Sequence, residues 1–454
     1  MHKVAKRTMI LFALVGPLLA GMLLFVVRFA VNSGDWAVFE GAPHVYNGGN
    51  IGCGVVVDAD NVLLLDMLKD RSYSNSEAIR KSTIHWLGDR YGYISAPAVA
   101  EYAEEMAGFD LLNGVYDYGD NKGVAKLTIS TQVQTAALEA MGDYHGTVAV
   151  YNYKTGQILC SVTTPNYDPD NVPQIDESDS RFEGIYVNRF TQSCYVPGSI
   201  FKAVTLAAAL ESIPDIKEQT FVCTGSFAIG VDEITCEGAH WEQDLETAFR
   251  NSCNCAFAQI ALQLGPEKLE RYVEQFGVTQ SISFDGITTR VGNYEAGGSD
   301  ARLAWSSIGQ YNDQINPCAY LTYIGAIANN GVAVNPYLVE NVTVGNTTTY
   351  QAETKAMNRI MSAETAQIVK EFMRSNVVNK YGEDNFGGLP VCAKTGTAEV
   401  GGEKKPNAML VGFSVDPQYP LAFIVCAEDA GYGGSVCIPI AAKVLEVCKN
   451  QMDS

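Results

Sequence analysis

Pro197-Gly198-Ser199-Ile200-Phe201-Lys202 is the stretch on which the reading of this chain turns. Pro and Gly close the loop before it, so Ser199 falls at the start of a helix, where the dipole and free N–H groups favour developing negative charge. Lys202, three residues on, shares that face one turn away. A serine hydroxyl needs a base, and a lysine can be that base only if burial or a second cation holds it neutral part of the time. Read alone, the same letters also describe a helix N-cap followed by a solvated lysine.

Two later stretches bear on that choice. Ser252-Cys253-Asn254 sits early in an otherwise apolar helix running through Phe257, Ile260 and Leu264, where polar side chains either bond to the backbone or line a cleft. Lys394-Thr395-Gly396-Thr397 leaves an apolar strand. A cation and two hydroxyls beside a glycine suit capture of a carboxylate by a strand edge that a substrate can approach closely. Lys154-Thr155-Gly156 repeats the triplet but occupies a hairpin turn, and is read as structural.

The chain around these stretches has 454 residues, of which 47% are hydrophobic and 18% charged. That composition builds a large core and excludes a disordered chain. A net charge of −20 repels phosphate backbones and disfavours nucleic-acid binding. The five histidines (His2, His44, His85, His145, His240) are scattered, and none is read as standing at metal-ligand spacing with a second His or a Cys pair. A zinc enzyme and a Ser-His-Asp hydrolase are accordingly disfavoured. Twelve cysteines are present. Cys160, Cys392 and Cys426 lie in apolar runs and read as buried free thiols. Cys223 and Cys236 bracket a polar loop, and both a disulfide and two free thiols suit that placement.

At the N-terminus Lys3, Lys6 and Arg7 precede an uncharged run over 8–27, closed by Arg28. Twenty residues at 1.5 Å rise span about 30 Å, one membrane thickness. The basic excess before the run places residues 1–7 in the cytoplasm, 8–28 in the membrane as an uncleaved anchor, and the rest outside. Residues 29–127 carry short strands and two helices, over 76–87 and 96–107, and pair no nucleophile with a base. A larger unit, 128–454, opens with a helix to Met141 and a hairpin, holds a block of helices that includes one across 244–264, and closes with three strands and a C-terminal helix. The fold class is therefore α/β of the α+β kind: an antiparallel sheet built from both ends of the domain, with a helical lobe inserted.

The order Ser-x-x-Lys, Ser-x-Asn, Lys-Thr-Gly, with 50 residues from Lys202 to Ser252 and 140 from Asn254 to Lys394, resembles the penicillin-binding protein and serine β-lactamase superfamily. The likeness favours the class B penicillin-binding transpeptidases. It extends through the hairpin at 146–159, Pro165-Asn166-Tyr167-Asp168-Pro169, Asn188-Arg189-Phe190, Ile308-Gly309-Gln310, Asn316-Pro317, Ala328-Asn329-Asn330-Gly331 and Val411-Gly412-Phe413. It covers about residues 128–450. Upstream it is weaker: Gly54-Val55-Val56-Val57-Asp58 is similar to the family's post-membrane box, with Cys53 in place of an arginine and Asn61 in place of a glycine. Two further departures are Trp241, where glycine is common, and Ala408-Met409-Leu410, where an aromatic pair often stands.

The resemblance implies a peptidoglycan D,D-transpeptidase. Ser199 would attack the penultimate D-Ala carbonyl of a stem peptide, Lys202 would take its proton, Ser252 would relay a proton to the leaving amine, and Asn254 would hold Lys202 and the substrate amide. Lys394, Thr395, Gly396 and Thr397 would bind the terminal carboxylate, with the oxyanion between the N–H groups of Ser199 and Thr397. β-Lactams would acylate the same serine. No metal or organic cofactor is called for. Residues 29–127 become a pedestal, and their size implies a separate membrane glycan polymerase as partner. The rival readings are a D,D-carboxypeptidase or β-lactamase-type hydrolase, a β-lactam sensor (disfavoured by the seven residues before the span) and a non-catalytic cell-wall scaffold.

Overall fold

A computed structural model describes residues 2–69, 71–115, 122–176, 178–402 and 404–453; Met1, Asp70, residues 116–121, Glu177, Glu403 and Ser454 lie outside the description. The first helix, α1 (His2–Ala37), is the one helix among the described residues long and apolar enough to cross a membrane. Its side chains are exposed along nearly all its length, and only Ser33 and Gly34 near its end are buried. That pattern fits a single-pass anchor whose solvent is lipid.

Beyond α1 the chain lays down β1 (Val55–Val57), β2 (Leu63–Asp66), β3 (Ser72–Tyr73), α2 (Glu77–Leu87) and β4 (Gly123–Leu127). Ser76 caps α2 by accepting from the Ile79 N–H, as an N-cap serine should. The helix expected over 96–107 is instead two short ones, Pro97–Ala100 and Ala103–Ala107. β1 and β4 pair in parallel at the centre of a six-stranded sheet. Two of its strands, Val339–Val344 and Thr347–Gln351, come from far along the chain, the first pairing with β4. This six-stranded sheet is thus completed by residues that the sequence reading assigned to the unit beyond 128. Arg80 on α2 adds a two-pronged ion pair to Asp168, both oxygens at 2.7 Å, tying the pedestal to the loop after the opening hairpin.

The second unit opens with α3 (Thr131–Met141) and the hairpin β5 (Gly146–Asn152) and β6 (Ile158–Thr164). A short 3₁₀ turn, Gly198–Phe201, runs into α4 (Lys202–Ser212). The small strands β7 (Thr220–Cys223), β8 (Ser226–Ile229), β9 (Asp232–Thr235) and β10 (Trp241–Asp244) lead to α5 (Leu245–Arg250) and α6 (Asn254–Leu264). Then come α7 (Pro317–Ala328) and α8 (Ala363–Asn376), and the chain closes with β11 (Val391–Ala398), β12 (Asn407–Ser414), β13 (Leu421–Ala427) and α9 (Gly433–Met452).

The main sheet has the order β11-β12-β13-β5-β6, and every pair in it is antiparallel. Strands from both ends of the domain therefore meet between β13 and β5, as the sequence predicts. Both faces are covered, which is why these strands read as near-continuous apolar runs. The period of two sorts their side chains between two cores. Val148, Val150, Leu410, Phe423 and Val425 join the core under α3 and α9, whereas Ala149, Tyr151, Met409, Val411, Ile424 and Cys426 join the core shared with the helical lobe. β11 is an edge strand, and the Gly198–Phe201 turn packs against it.

Candidate active site

Ser199 lies in the 3₁₀ turn that precedes α4 and is continuous with it. Gly198 takes φ +54°, and a Cβ there would come 2.7 Å from the Thr397 carbonyl oxygen, so only glycine lets the turn sit this close to β11. Gly396 answers from the strand side: a Cβ on it would meet the Pro197 oxygen and the Ile200 side chain at 3.0 Å. The glycines of both motifs thus have one physical purpose, to bring Ser199 against Thr397.

The expected helix across 244–264 is broken. α5 ends at Arg250 and α6 begins at Asn254, with Ser252 between them at φ +56°, a left-handed conformation that costs a non-glycine residue about 1–2 kcal/mol. That break turns the Ser252 carbonyl and hydroxyl toward the serine–lysine pair, which a continuous helix would not do.

Lys202 is fully buried. Its Nζ lies 2.8 Å from Ser199 Oγ, 2.8 Å from the Ser252 carbonyl oxygen, 2.7 Å from Asn254 Oδ1 and 3.2 Å from Ser252 Oγ. The carbonyl and the amide oxygen can only accept, so they take two of the amine's hydrogens. What remains faces Ser199 Oγ, and when the amine is neutral its lone pair is an acceptor for the serine proton. Burial pushes Lys202 down to about 8, against an opposing pull from Cys236, Cys253 and Glu237. Lys394 is equally buried; burial, then the Lys202 and Lys380 charges, hold it well below the ordinary lysine range. It donates to Ser252 Oγ at 3.0 Å and to the Thr395 carbonyl at 2.9 Å. Ser252 Oγ therefore bridges two lysines, a route for a proton between them.

Ser199, Ser252, Asn254, Thr395 and Thr397 all line one cleft of about 1030 Å³. The residues singled out in the sequence, Lys202, Lys394 and Gly396 included, meet at its wall or just beneath it. The second triplet does not: Lys154 sits exposed in the β5–β6 turn, donating to Asn329 Oδ1 at 2.7 Å. Reasoning from the sequence missed Tyr381, whose hydroxyl lies 3.0 Å from Thr395 Oγ1 and accepts from the Thr395 N–H at 3.2 Å. No local signal marks it. It also left Arg189 without a role. This buried guanidinium pairs with Glu428 at 2.8 Å and donates to the Glu183 and Gly184 carbonyls, while Tyr195 donates to the same carboxylate at 2.8 Å. The stretch leading to Ser199 is thereby locked to the end of β13. Trp241, where the resemblance leads one to expect glycine, holds φ +57° with its ring largely exposed, so the backbone keeps the conformation for which glycine is suited.

Of the two states that the sequence left open for Cys223 and Cys236, the structure has free thiols, as for all twelve cysteines. Cys223 bonds to the Gly238 carbonyl at 3.5 Å, and Cys236 lies 3.5 Å from His240 Nδ1. One expectation needs correction: His240, four residues from Cys236, is not isolated but belongs with Cys223, Cys236 and Cys253 to a cluster of metal-ligand type. Cys160, Cys392 and Cys426 are buried thiols, as expected.

A cleft-lining serine bonded to a buried lysine, a second lysine across a bridging hydroxyl and a hydroxyl-lined strand edge define an acyl-transfer centre of the serine–lysine type. Residues 146–446 match the family described as the penicillin binding protein transpeptidase domain, and the chain belongs to that family. It is 30% identical over 351 residues to the peptidoglycan D,D-transpeptidase PbpA of Mycolicibacterium smegmatis, covering 70% of this chain and 71% of that protein. It is 29% identical to the stage V sporulation protein D of Bacillus subtilis over 70% of this chain and 52% of that protein. The fold is that of penicillin-binding protein A from M. tuberculosis, solved as a penicillin G acyl-enzyme complex: TM-score 0.75 at 23% identity, over 88% of this chain and 99% of that one.

Proposed function

We propose that this protein is a peptidoglycan D,D-transpeptidase in which Ser199 is the nucleophile and Lys202 its base, and that β-lactams inactivate it by acylating Ser199. The observation that carries the reading is the Lys202 amine, buried, 2.8 Å from Ser199 Oγ, with two of its hydrogens engaged by the Ser252 carbonyl and Asn254 Oδ1. Ser199 Oγ bonds to the penultimate D-Ala carbonyl carbon as its proton passes to Lys202. The resulting oxyanion lies between the N–H groups of Ser199 and Thr397, each donor worth about 3–4 kcal/mol if removed. The C–N bond then breaks, and the proton reaches the departing D-Ala amine through Ser252 Oγ. An amine from a neighbouring stem peptide attacks the ester, and Lys202 takes that amine's proton and returns one to Ser199. Lys394, with Thr395 and Thr397 beside Gly396, binds the substrate's terminal carboxylate. Tyr381 positions Thr395.

The base must be the neutral amine, so the sign of the pH dependence follows. With Lys202 at about 8, acylation by a β-lactam should rise with pH through about 8 and level off above it. The titratable groups facing this amine are Lys394, Lys380, Glu237, Cys236 and Cys253. A flat rate across about pH 6–9 would remove Lys202 as the base.

The orientation follows from the basic residues before the apolar run, which hold the N-terminus in the cytoplasm and the catalytic unit outside. Residues 29–127 act as a pedestal, and they offer too short a segment for a glycan-polymerising module. A separate membrane polymerase is the partner, meeting residues 8–127. Purified protein supplied with uncross-linked glycan strands carrying pentapeptide stems should release D-Ala and join stems into dimers. Supplied with the lipid-linked precursor alone, it should make no glycan. Release of D-Ala without dimers would make it a carboxypeptidase, and glycan synthesis by the protein alone would end the pedestal reading.

A further inference from the structure

Among the described residues that line the cleft, the charged ones are Glu237, Asp384, Glu399 and a single cation, Lys380. A carboxylate entering such a cleft is repelled by three acids and attracted at one place. Of the groups assigned to the substrate's terminal carboxylate, Thr395 and Thr397 line the cleft, whereas Lys394 is fully buried and does not. The Lys394 amine donates to Ser252 Oγ at 3.0 Å and to the Thr395 carbonyl at 2.9 Å, so it acts on the carboxylate from beneath the wall. We propose that Lys380 is the cation that meets the substrate's terminal carboxylate inside the cleft, beside the Thr395 and Thr397 hydroxyls. The assignment rests on the transpeptidase reading and adds to it a residue that selects for a free carboxylate.

The local fold explains how an exposed lysine comes to stand there. Lys380 lies in the turn that follows α8, a π-helical turn over Val377–Tyr381 closed by the Gly382 N–H on the Val377 carbonyl at 2.9 Å. Wide turns of this kind are rare and recur at functional sites. This one delivers two neighbours to one place. Tyr381 bonds to the hydroxyl and N–H of Thr395, and Lys380 lines the cleft next to it.

The Lys380 amine donates to the Arg250 carbonyl at 3.3 Å, at the end of α5 and two residues before Ser252. A carbonyl oxygen holds an ammonium in place without neutralising it. The described residues supply Lys380 with no carboxylate at ion-pair distance, so its charge and two of its hydrogens are left for an incoming anion. Its side chain is exposed, and it carries that charge without the desolvation cost that Lys394 meets. The same charge reaches the two buried amines, where it opposes protonation of both Lys202 and Lys394. Lys380 is therefore close enough to the reacting groups to act on a substrate seated among them.

The test compares acylation of the full chain in detergent by a penicillin and by its carboxylate methyl ester. The penicillin carboxylate stands in for the substrate's terminal carboxylate, and the ester removes its charge. Wild-type protein should prefer the free acid. Lys380→Gln should cut that preference about tenfold, as expected for loss of one charge-assisted hydrogen bond, while Lys380→Arg should keep most of it and Lys154→Ala all of it. The preference, not the rate, is the readout, because acid and ester depend alike on the Lys202 amine. Added salt should lower the wild-type preference, since the contact is exposed, and this measurement needs no variant. An unchanged preference in Lys380→Gln would overturn the proposal, as would equal slowing of acid and ester, which fits a residue that only holds the turn after α5. A preference indifferent to salt places the cation in a buried site and also overturns it. Wild-type protein acylated by neither compound would count against the transpeptidase reading, whereas acylation with a preference that survives Lys380→Gln counts against Lys380 alone.

Discussion

Replacing Ser199 with alanine should abolish covalent capture of a fluorescent penicillin, a loss on the order of 10⁶-fold in acylation rate, as when the nucleophile of a serine hydrolase is removed. The variant should fold. Ser199 contributes one small hydroxyl, and α4 behind it is held by an apolar stripe that the change leaves untouched. The assignment is not trivial, because a second hydroxyl competes for the same amine: Ser252 Oγ is 3.2 Å from Lys202 Nζ, against 2.8 Å for Ser199 Oγ. Geometry decides between them. Both serines line the cleft, but Ser252 Oγ is also held by Lys394, whereas Ser199 stands on a turn packed against the strand that would bind the substrate. Peptide mapping of the wild-type adduct should therefore find it on Ser199. An adduct on Ser252, or undiminished labelling of Ser199→Ala, would overturn the mechanism.

Lys394→Ala should lower acylation by on the order of 10²–10³-fold, a typical loss when one preorganised electrostatic contact is removed from an active site, whereas Lys154→Ala should leave acylation unchanged and shift stability by no more than about 0.5 kcal/mol. The two lysines open the same three-letter motif. Lys394 is fully buried on the edge strand and holds Ser252, while Lys154 is exposed in a turn with one hydrogen bond to Asn329. Stopped-flow acylation and thermal unfolding of both variants make the comparison. Equal loss of acylation in the two would show that the motif's position in the sheet does not matter.

Much of this architecture was legible in the letters. The apolar run with basic residues before it marks α1. Apolar strands at both ends of residues 128–454 imply a sheet buried on both faces, and their alternation divides Val148 and Val150 from Ala149 and Tyr151 between two cores. Proline and glycine before Ser199 place it at a helix start. The order of three motifs pointed to the family that residues 146–446 match. These readings succeed because each rests on a local rule: hydrophobic length, a period of two, a cap.

What the tertiary structure alone decided is everything that depends on distance across the fold. Periodicity across 244–264 predicts one helix, yet packing breaks it at Ser252, and only that break aims the Ser252 carbonyl at an amine 50 residues earlier. Two strands past residue 330 cross over to complete the six-stranded sheet, a pairing with no local signature. Tyr381 reaches Thr395 because α8 runs beside β11. The cysteines make the point most sharply. Cys223 and Cys236 read as a pair along the chain, but folding brings His240 and Cys253 to them, turning a two-body question into a four-ligand cluster. A sequence records residue types and their spacing, and local chemistry follows from those. Which distant side chains share a site is set by how the elements pack.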